Sequence, residues 1–330
     1  MSTPNTTRAV AALRPGTVDD PDSFVEVDLD LPAPGPHDLL VEVRAVSVNP
    51  ADHKVRSSFD GDAPKVLGYD AAGVVVAAGE RVGAFAVGDE VYYAGSIARP
   101  GTNARLHLVD ERIVGHKPAT LDFAEAAALP LTAITAWETL FDRMRLTADS
   151  TGTLLVVAGA GGVGSMVIQL ARALTGVTVV ATASRPESRR WALDLGAHSV
   201  VDHRELRSAV SGVDWVFSPF SAGNVETFAQ IMGVGGQVVA IDEPEGLDTL
   251  PLKAKSQTWT WELMFTRPLH DPESTAQREL LDEVARLVDA GTLRTTLTQR
   301  LGPISPDTLR AAHRAVEGSG MVGKVVVEGW

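Results

Sequence analysis

The sequence predicts an α/β protein in which a small, irregular β-barrel precedes a doubly wound parallel sheet. Up to about residue 130, apolar and polar residues alternate between many glycines, as in "LLVEVRAVSVN" (39–49), which is typical of half-buried strands. After residue 130, short apolar strands alternate with helical segments, which is typical of βαβ units. These two patterns place the first domain at 1–130 and a second domain at 131–270.

The first region contains further strand-and-turn units. "AAGVVVAAGE" (71–80) and "VGDEVYYAG" (87–95) are apolar runs punctuated by glycine, and prolines at 32, 34 and 36 indicate an extended entry. The end of the chain, with helical patterns at 277–290 and 306–317 and a strand in "GKVVVEGW" (323–330), most simply returns to this domain. Residues 271–330 are therefore expected to complete it.

The second region reads as alternating strands and helices. Expected strands are "TLLVVAG" (153–159), "VTVVATA" (177–183), "HSVVD" (198–202), "VDWVFS" (213–218) and "GQVVAID" (236–242). Helices are expected at 165–174 and 187–195, the second ending at Gly196. "TWTWELMF" (258–265) alternates as a strand does, and we expect it at the edge of the sheet.

Composition excludes several classes of protein. The 330 residues carry a formal net charge of −13, which argues against nucleic acid or an anionic membrane as the main partner. There is no cysteine, so disulfides, thiolate zinc sites and a cysteine nucleophile are impossible. The N-terminus lacks a signal-peptide pattern, and no apolar run could span a bilayer. We expect a cytoplasmic protein that acts on a small molecule.

A glycine-rich turn predicts a dinucleotide site. Gly159, Gly161 and Gly164 form G-x-G-x-x-G directly after a strand and at the start of a helix, which is the context that this motif requires. Glycine lets the backbone approach a diphosphate, and the helix N-terminus faces the anion. The alternative is a tight turn without a ligand. The residues expected to hold the cofactor here are Gly159, Ala160, Gly161, Gly162, Val163 and Gly164.

The end of the next strand favours NADPH over NADH. An NAD-selective site usually has an acidic residue there, whereas this chain has Ala183, Ser184 and Arg185, with Arg189 one turn later. A hydroxyl and guanidinium groups would bind a 2′-phosphate that a carboxylate would repel. His203, after the following strand, could reach the same phosphate. The alternative is that the arginines only cover an exposed helix start and that His203 is structural.

An ordered set of segments is similar to the medium-chain dehydrogenase/reductase superfamily, and most to its zinc-free quinone oxidoreductase, or zinc-type alcohol dehydrogenase-like, branch. The segments are "VSVNPADHKVR" (46–56), "LGYDAAGVV" (67–75), "VGDEVYY" (87–93), "ALPLTAITAWETL" (128–140), "AGAGGVG" (158–164), "LGAHSVVDH" (195–203) and "GKVVVEG" (323–329). The resemblance implies a GroES-like β-barrel catalytic domain, a Rossmann domain and a cofactor cleft between them. It also implies a homodimer or tetramer built through the edge of the Rossmann sheet.

The resemblance also implies that the catalytic zinc of the related alcohol dehydrogenases is absent. Their ligand positions correspond here to Asn49, Tyr69 and about Leu131, none of which is a zinc ligand of the usual kind. An unrelated site from Asp52, His53 and Asp70 is a weaker alternative. We therefore expect no metal.

Without a Lewis acid, alcohol oxidation is difficult, but a quinone or an α,β-unsaturated carbonyl already delocalises the charge that hydride addition creates. The expected function is NADPH-dependent reduction of such acceptors. The alternatives are reduction of a 2-enoyl thioester, or a NADPH-binding sensor or structural protein with little turnover.

The resemblance supplies the remaining candidate residues. Asn49 would contact the nicotinamide region or donate to the oxyanion, Tyr69 would donate a hydrogen bond or a proton, and Thr135 would touch the nicotinamide. Tyr69 packed in the barrel and Thr135 packed in a helix are the open alternatives. The nicotinamide carboxamide is expected near the backbone of Phe220, Ile241 and Asp242, and Lys324 is assigned to the cofactor site.

Overall fold

The computed structural model describes residues 5–318 and 320–330. They form two compact units: one extends to Leu131 and resumes with Phe265–Trp330, and the other is Thr132–Met264. Each unit has a hydrophobic core of its own.

The first unit begins with strands and few helices, because its apolar residues alternate with polar ones. Its elements are β1 (Thr6–Ala12), β2 (Val25–Asp30), β3 (Asp38–Ser47), α1 (Pro50–Ser58), β4 (Lys65–Val66), β5 (Ala71–Ala78), β6 (Glu90–Tyr93), β7 (Leu106–Asp110), β8 (Val114–His116) and α2 (Phe123–Ala127). Helix α1 was not anticipated from the sequence. It begins with a capping box, in which the Asn49 N–H donates to Asp52 at 2.7 Å.

The second unit alternates strands and helices. Its elements are α3 (Pro130–Trp137), which starts just before the unit, β9 (Thr153–Val156), α4 (Gly162–Leu174), β10 (Thr178–Thr182), α5 (Pro186–Asp194), β11 (Ser199–Val201), α6 (Leu206–Ala209), β12 (Val213–Ser218), α7 (Val225–Ile231), β13 (Met232–Ala240) and β14 (Thr258–Trp261). A π-helical segment, Glu138–Arg143, continues α3.

The chain then returns to the first unit. The last elements are α8 (Thr266–His270), α9 (Ala276–Asp289), β15 (Leu297–Leu301), α10 (Pro306–Glu317) and β16 (Lys324–Glu328). Strand β16 pairs parallel with β15 and antiparallel with β3, where Val326 lies opposite Ser47. The larger sheet therefore runs β15-β16-β3-β5-β6-β8, with β7 on β3, and a smaller sheet runs β2-β1-β4.

The sheet of the second unit has the order β11-β10-β9-β12-β13-β14, and the neighbouring strands are parallel. This is the doubly wound order in which the chain reverses direction beside the first strand. The carboxyl ends of all these strands lie at one edge of the sheet, which we call the carboxyl edge. Loops after β9 to β13 are brought together there. Among the described residues, no helix is long and apolar enough to cross a membrane.

Candidate active site

The glycine turn lies at the carboxyl edge between β9 and α4. Its backbone is fixed to the neighbouring strand, because the Ala158 N–H donates to the Thr182 hydroxyl at 2.9 Å and the Gly159 N–H donates to the Thr182 carbonyl at 3.0 Å. Ala158 itself has a positive φ of 55°. Thr182 was not singled out from the sequence, where its only signal is a polar residue at the end of a strand.

The three glycines of the motif have different reasons to be glycine. A Cβ on Gly159 would lie 2.7 Å from the Ala181 Cβ, and one on Gly164 would lie 2.4 Å from the Ala158 carbonyl oxygen, so both are required by packing of the chain on itself. At Gly161, the nearest described atom would be 3.4 Å away. The turn therefore has room for a Cβ at Gly161, in ordinary contact with the Ala158 carbonyl oxygen. This position lies next to the first-turn N–H groups of α4, which helical geometry leaves without partners inside the helix.

The expected 2′-phosphate residues lie after β10 and β11. Ser184 and Arg185 are exposed, and His203 is exposed beside Asp202 at 3.5 Å. Arg189 is already engaged, since its guanidinium donates to the Ala183 carbonyl at 3.1 Å and the Val200 carbonyl at 2.7 Å. The structure thus gives Arg189 a role in tying the two strand ends together, which differs from its expected role as a direct phosphate ligand.

The loops after β12 and β13 are joined by an aspartate. Asp242 accepts hydrogen bonds from the Ser221 N–H at 2.6 Å and the Ser221 hydroxyl at 2.5 Å. The backbone of Phe220 also has partners: its N–H donates to the Ser218 hydroxyl oxygen, and its carbonyl accepts from Asn224 at 3.0 Å. The backbone groups of Phe220 are thus engaged within the loop, and their contact with a carboxamide stays a prediction. Ile241 likewise donates its N–H, to Ser218.

In the first unit, Lys324, Asn49 and Asp70 form a buried cluster. The Lys324 ammonium donates to the Val48 carbonyl at 3.1 Å, to the Asn49 side-chain oxygen, and to Asp70 Oδ2 at 3.1 Å. The Asn49 amide nitrogen donates to Asp70 at 2.7 Å. Asp70 also accepts from the Leu131 N–H at 2.7 Å. All three side chains are at most 2% exposed, so the ion pair is dry.

These contacts change two expectations. Both sides of the Asn49 amide are used inside the cluster, so the amide is not an open donor for an oxyanion. The three ammonium donors of Lys324 also have partners, and a contact with a cofactor would require at least one of these bonds to break. The sequence could not reveal the cluster, because residues 49, 70 and 324 are far apart along the chain.

The acids of this region are perturbed by burial. Burial raises the pKa of Asp52 to about 7, although two backbone N–H groups, of Asn49 and Gly68, donate to its carboxylate. Burial likewise raises the pKa of Asp70, with Lys324 opposing the shift.

Tyr69 is fully buried beside the cluster, and its hydroxyl has no hydrogen-bond partner among the described residues. The ring meets Phe265 edge-on, with centroids 5.3 Å apart. Burial raises the pKa of Tyr69 well above its ordinary value, so the phenol remains protonated. A buried polar group without a partner costs about 1–3 kcal/mol, so the Tyr69 hydroxyl is a candidate donor to a ligand.

The third candidate, Thr135, lies on α3 and is buried. Glu138 follows Thr135 by three residues, and the carboxyl group of Glu262 hydrogen-bonds that of Glu138 and accepts from Arg143 at 2.7 Å. Burial, reinforced by Glu138, raises the pKa of Glu262 to about 9. This acid pair was not anticipated, because the two glutamates lie on segments more than 120 residues apart.

Comparison with known proteins identifies the family. Residues 35–131 match the alcohol dehydrogenase GroES-like domain, and residues 195–327 match the zinc-binding dehydrogenase family. A zinc-type alcohol dehydrogenase-like protein of Staphylococcus epidermidis is 36% identical, over 94% of this chain and 96% of its own length. The chain belongs to the medium-chain dehydrogenase/reductase superfamily. The expected fold class, a GroES-like domain with a Rossmann-like parallel-sheet domain, is confirmed.

Other relatives of this chain carry more specific names. A 2-methylene-furan-3-one reductase of Solanum lycopersicum is 32% identical, over 88% of this chain and 71% of its own length. The quinone oxidoreductase of Mus musculus is 28% identical, over 92% of each chain. The family resemblance inferred from the motifs is thereby confirmed, and the chain is an oxidoreductase by family.

Solved structures agree with this membership. A Rhizobium etli protein that carries a zinc-dependent alcohol dehydrogenase name has 49% sequence identity and a TM-score of 0.94, over 99% of both chains. A mycobacterial protein solved with NADPH has 26% identity and a TM-score of 0.83, over 98% of this chain and 99% of its own. Several of the family names mention zinc. Among the described residues of this chain, no group of three or more histidine, cysteine, aspartate or glutamate side chains could hold a metal ion.

Proposed function

We propose that this medium-chain reductase transfers hydride from NADPH to a quinone or an α,β-unsaturated carbonyl compound without a catalytic metal. The buried, unpartnered hydroxyl of Tyr69 carries the proposal, because it is a hydrogen-bond donor that lacks an acceptor. The oxygen of such a substrate gains negative charge during reduction, and a donor held in a dry site stabilises that charge. The names of the tomato and mouse relatives support both classes of acceptor.

The cofactor part of the proposal rests on the glycine turn and the residues after β10. The absence of a side chain at Gly161 and the first-turn N–H groups of α4 fit a pyrophosphate, which backbone N–H groups bind well. Exposed Ser184 and Arg185, with His203 after β11, fit an additional phosphate. The bound dinucleotide would supply the hydride, and the chain would supply orientation and charge stabilisation.

The metal-free part of the proposal rests on the Lys324 ammonium in the cluster of Asn49, Asp70 and Lys324. The Lys324 ammonium already lies among the oxygens of Val48, Asn49 and Asp70, and its positive charge opposes binding of a metal cation at the same place. Asn49 and Lys324 then act by holding the backbone around Asp70 in place. Tyr69, whose raised pKa keeps its proton, is the donor to the substrate oxygen.

The function can be tested with the purified full chain. NADPH oxidation is followed by absorbance with a simple quinone, a cyclic enone and a 2-enoyl thioester, before and after treatment with a metal chelator. We expect turnover with the quinone or the enone that the chelator does not change. Preference for the thioester would favour the enoyl thioester alternative, and tight NADPH binding without turnover would favour a sensor. Turnover that is lost on chelation and restored by zinc would contradict the metal-free proposal.

The NADPH preference has its own test. Arg185→Ala should weaken NADPH binding about tenfold and leave NADH binding within about twofold, because only NADPH carries the phosphate that the guanidinium would pair with. Arg172→Ala is the control, since Arg172 lies at the other end of α4 and contacts His198. Equal losses for both cofactors in Arg185→Ala would contradict the assignment. Calorimetry gives both affinities.

We further propose a homodimer formed through β14, with a tetramer as the alternative. The strand is the last in the sheet order, and Trp261 and the nearby Leu263 are 47% and 45% exposed. An unpaired strand edge flanked by exposed apolar side chains favours pairing with a second copy. Light scattering should show a dimer that Trp261→Lys shifts toward monomer, whereas Leu193→Lys, at a similarly exposed leucine on α5, should not.

A further inference from the structure

The order of strands fixes where each half of a bound dinucleotide must lie. If the pyrophosphate binds at the turn after β9 and the adenosine phosphate near the ends of β10 and β11, the other half extends in the opposite direction along the carboxyl edge. The next strands in that direction are β12 and β13. The loops that follow them, beginning at Pro219 and Ile241, therefore face the nicotinamide half.

These two loops are joined by one side chain. The Asp242 carboxylate accepts two hydrogen bonds from Ser221, one from its N–H at 2.6 Å and one from its hydroxyl at 2.5 Å. Ser221 is fully buried, so neither donor has water as a substitute partner. Removal of the carboxylate would leave both donors unsatisfied and would release the loop after β12 from the end of β13.

Further hydrogen bonds hold the backbone of the loop after β12, and this loop exposes an aromatic ring. Ser218 and Asn224 both donate to the Phe220 carbonyl, at 2.9 and 3.0 Å, while the Phe220 side chain is 60% exposed. A large apolar side chain that is exposed on a fixed backbone is typical of a binding surface. Displacement of Ser221 would move this ring, because Phe220 is the adjacent residue.

We propose that Asp242 is a positioning residue for the nicotinamide half of NADPH and acts through Ser221 by fixing the loop that carries Phe220. This inference rests on the proposed cofactor function. Asp242 would have no influence on the adenosine half, which the loops after β10 and β11 would hold. Removal of the Asp242 carboxylate should therefore weaken binding of NADPH without weakening binding of a nucleotide that has the same adenosine half and lacks the nicotinamide.

The test compares NADPH with 2′-phospho-ADP-ribose, which lacks only the nicotinamide ring. In Asp242→Ala, NADPH affinity should fall about tenfold or more while the affinity for 2′-phospho-ADP-ribose changes less than about twofold. Asp242→Asn, whose side-chain oxygen can still accept one of the two bonds, should fall between wild type and Asp242→Ala. Ser221→Ala keeps the N–H contact and should also be intermediate. The fluorescence of bound NADPH should change in the same order, because it reports the surroundings of the nicotinamide.

Asp214→Ala provides a matched control. Asp214 accepts the Thr153 N–H at 2.7 Å near the start of β12, so it makes a similar carboxylate-to-backbone bond at the opposite edge of the same sheet. This variant should lose stability and keep both affinities.

Three results would overturn the inference. Asp242→Ala could bind NADPH as wild type does, or it could lose both nucleotides equally, which would indicate a general structural role. If Asp242→Ala does not fold, wild-type NADPH affinity in both Ser221→Ala and Asp242→Asn would have the same consequence. Failure of wild type to bind 2′-phospho-ADP-ribose would instead contradict the proposed cofactor function itself.

Discussion

At the residue scale, the proposed chemistry rests on the hydroxyl of Tyr69. Its hydroxyl is fully buried, and it lacks a partner among the described residues. Its pKa is raised by burial, so it would serve as a hydrogen-bond donor and as a weak acid at most. Such a donor favours substrates that need only stabilisation of an oxygen, as activated carbonyl compounds do.

Tyr69→Phe therefore separates function from stability. We expect kcat/KM with the preferred quinone or enone to fall roughly 10²-fold, since one donor to the developing oxyanion is removed. Thermal stability should stay the same or rise, because the variant removes a buried hydroxyl that has no partner. Steady-state kinetics and thermal melting measure the two effects.

Tyr93→Phe is the natural control. The Tyr93 hydroxyl is also buried, but it is within 3.0 Å of the His107 ring nitrogen and has a partner to lose. That variant should lose stability and retain activity. Loss of stability in Tyr69→Phe with unchanged kcat/KM would show that the hydroxyl is structural.

At the scale of the element, the β9–turn–α4 unit shows why three similar glycines have different roles. Gly159 and Gly164 allow the turn to pack against Ala181 and Ala158, whereas Gly161 has room for a Cβ and an ordinary φ of −72°. Packing thus explains two of the glycines and leaves the third to be explained by a ligand.

Gly161→Ala and Gly164→Ala should accordingly differ. Gly161→Ala should fold with nearly wild-type stability and lose most of its NADPH affinity, since the new methyl group takes the space next to the helix N-terminus. Gly164→Ala should be destabilised by about 1–3 kcal/mol, because its Cβ would lie 2.4 Å from a carbonyl oxygen. Thermal melting and calorimetry on both variants decide this. Unchanged NADPH affinity in Gly161→Ala would mean that no phosphate approaches the turn.

At the scale of the whole molecule, the periodicity of the sequence predicted the helices and strands, but it did not predict the contacts between distant residues. The expected helix at 306–317 coincides with Pro306–Glu317, and the one expected at 187–195 is Pro186–Asp194, one residue earlier because proline fits the first helical turn. These signals are local. The cluster of Asn49, Asp70 and Lys324 depends on β16 pairing with β3, and no short-range pattern encodes that pairing. The ligand contacts expected of the site residues therefore remain predictions.

Stability of the molecule should also depend on pH in an unusual direction. Glu262 and Asp52 have raised pKa values in the folded chain, about 9 and about 7, because both are buried. In the unfolded chain they release their protons near 4.5 and 3.8. Between the unfolded and the folded pKa, the folded state binds more protons than the unfolded state, so the free energy of unfolding decreases as pH rises. This decrease extends from about pH 4 to pH 7 for Asp52 and from about pH 4.5 to pH 9 for Glu262.

Glu262→Gln should remove one of these two contributions. A glutamine can still accept from Arg143 with its oxygen and donate to Glu138 with its nitrogen, so it resembles the protonated glutamate. The variant should match wild type near pH 5 and become more stable than wild type as pH rises toward 9, by on the order of 2 kcal/mol. Thermal melting at pH 5, 7 and 9 measures this difference. A constant difference between Glu262→Gln and wild type at all three pH values would show that the Glu138–Glu262 pair does not share a proton. The decline that remains in Glu262→Gln between pH 4 and 7 would belong to Asp52.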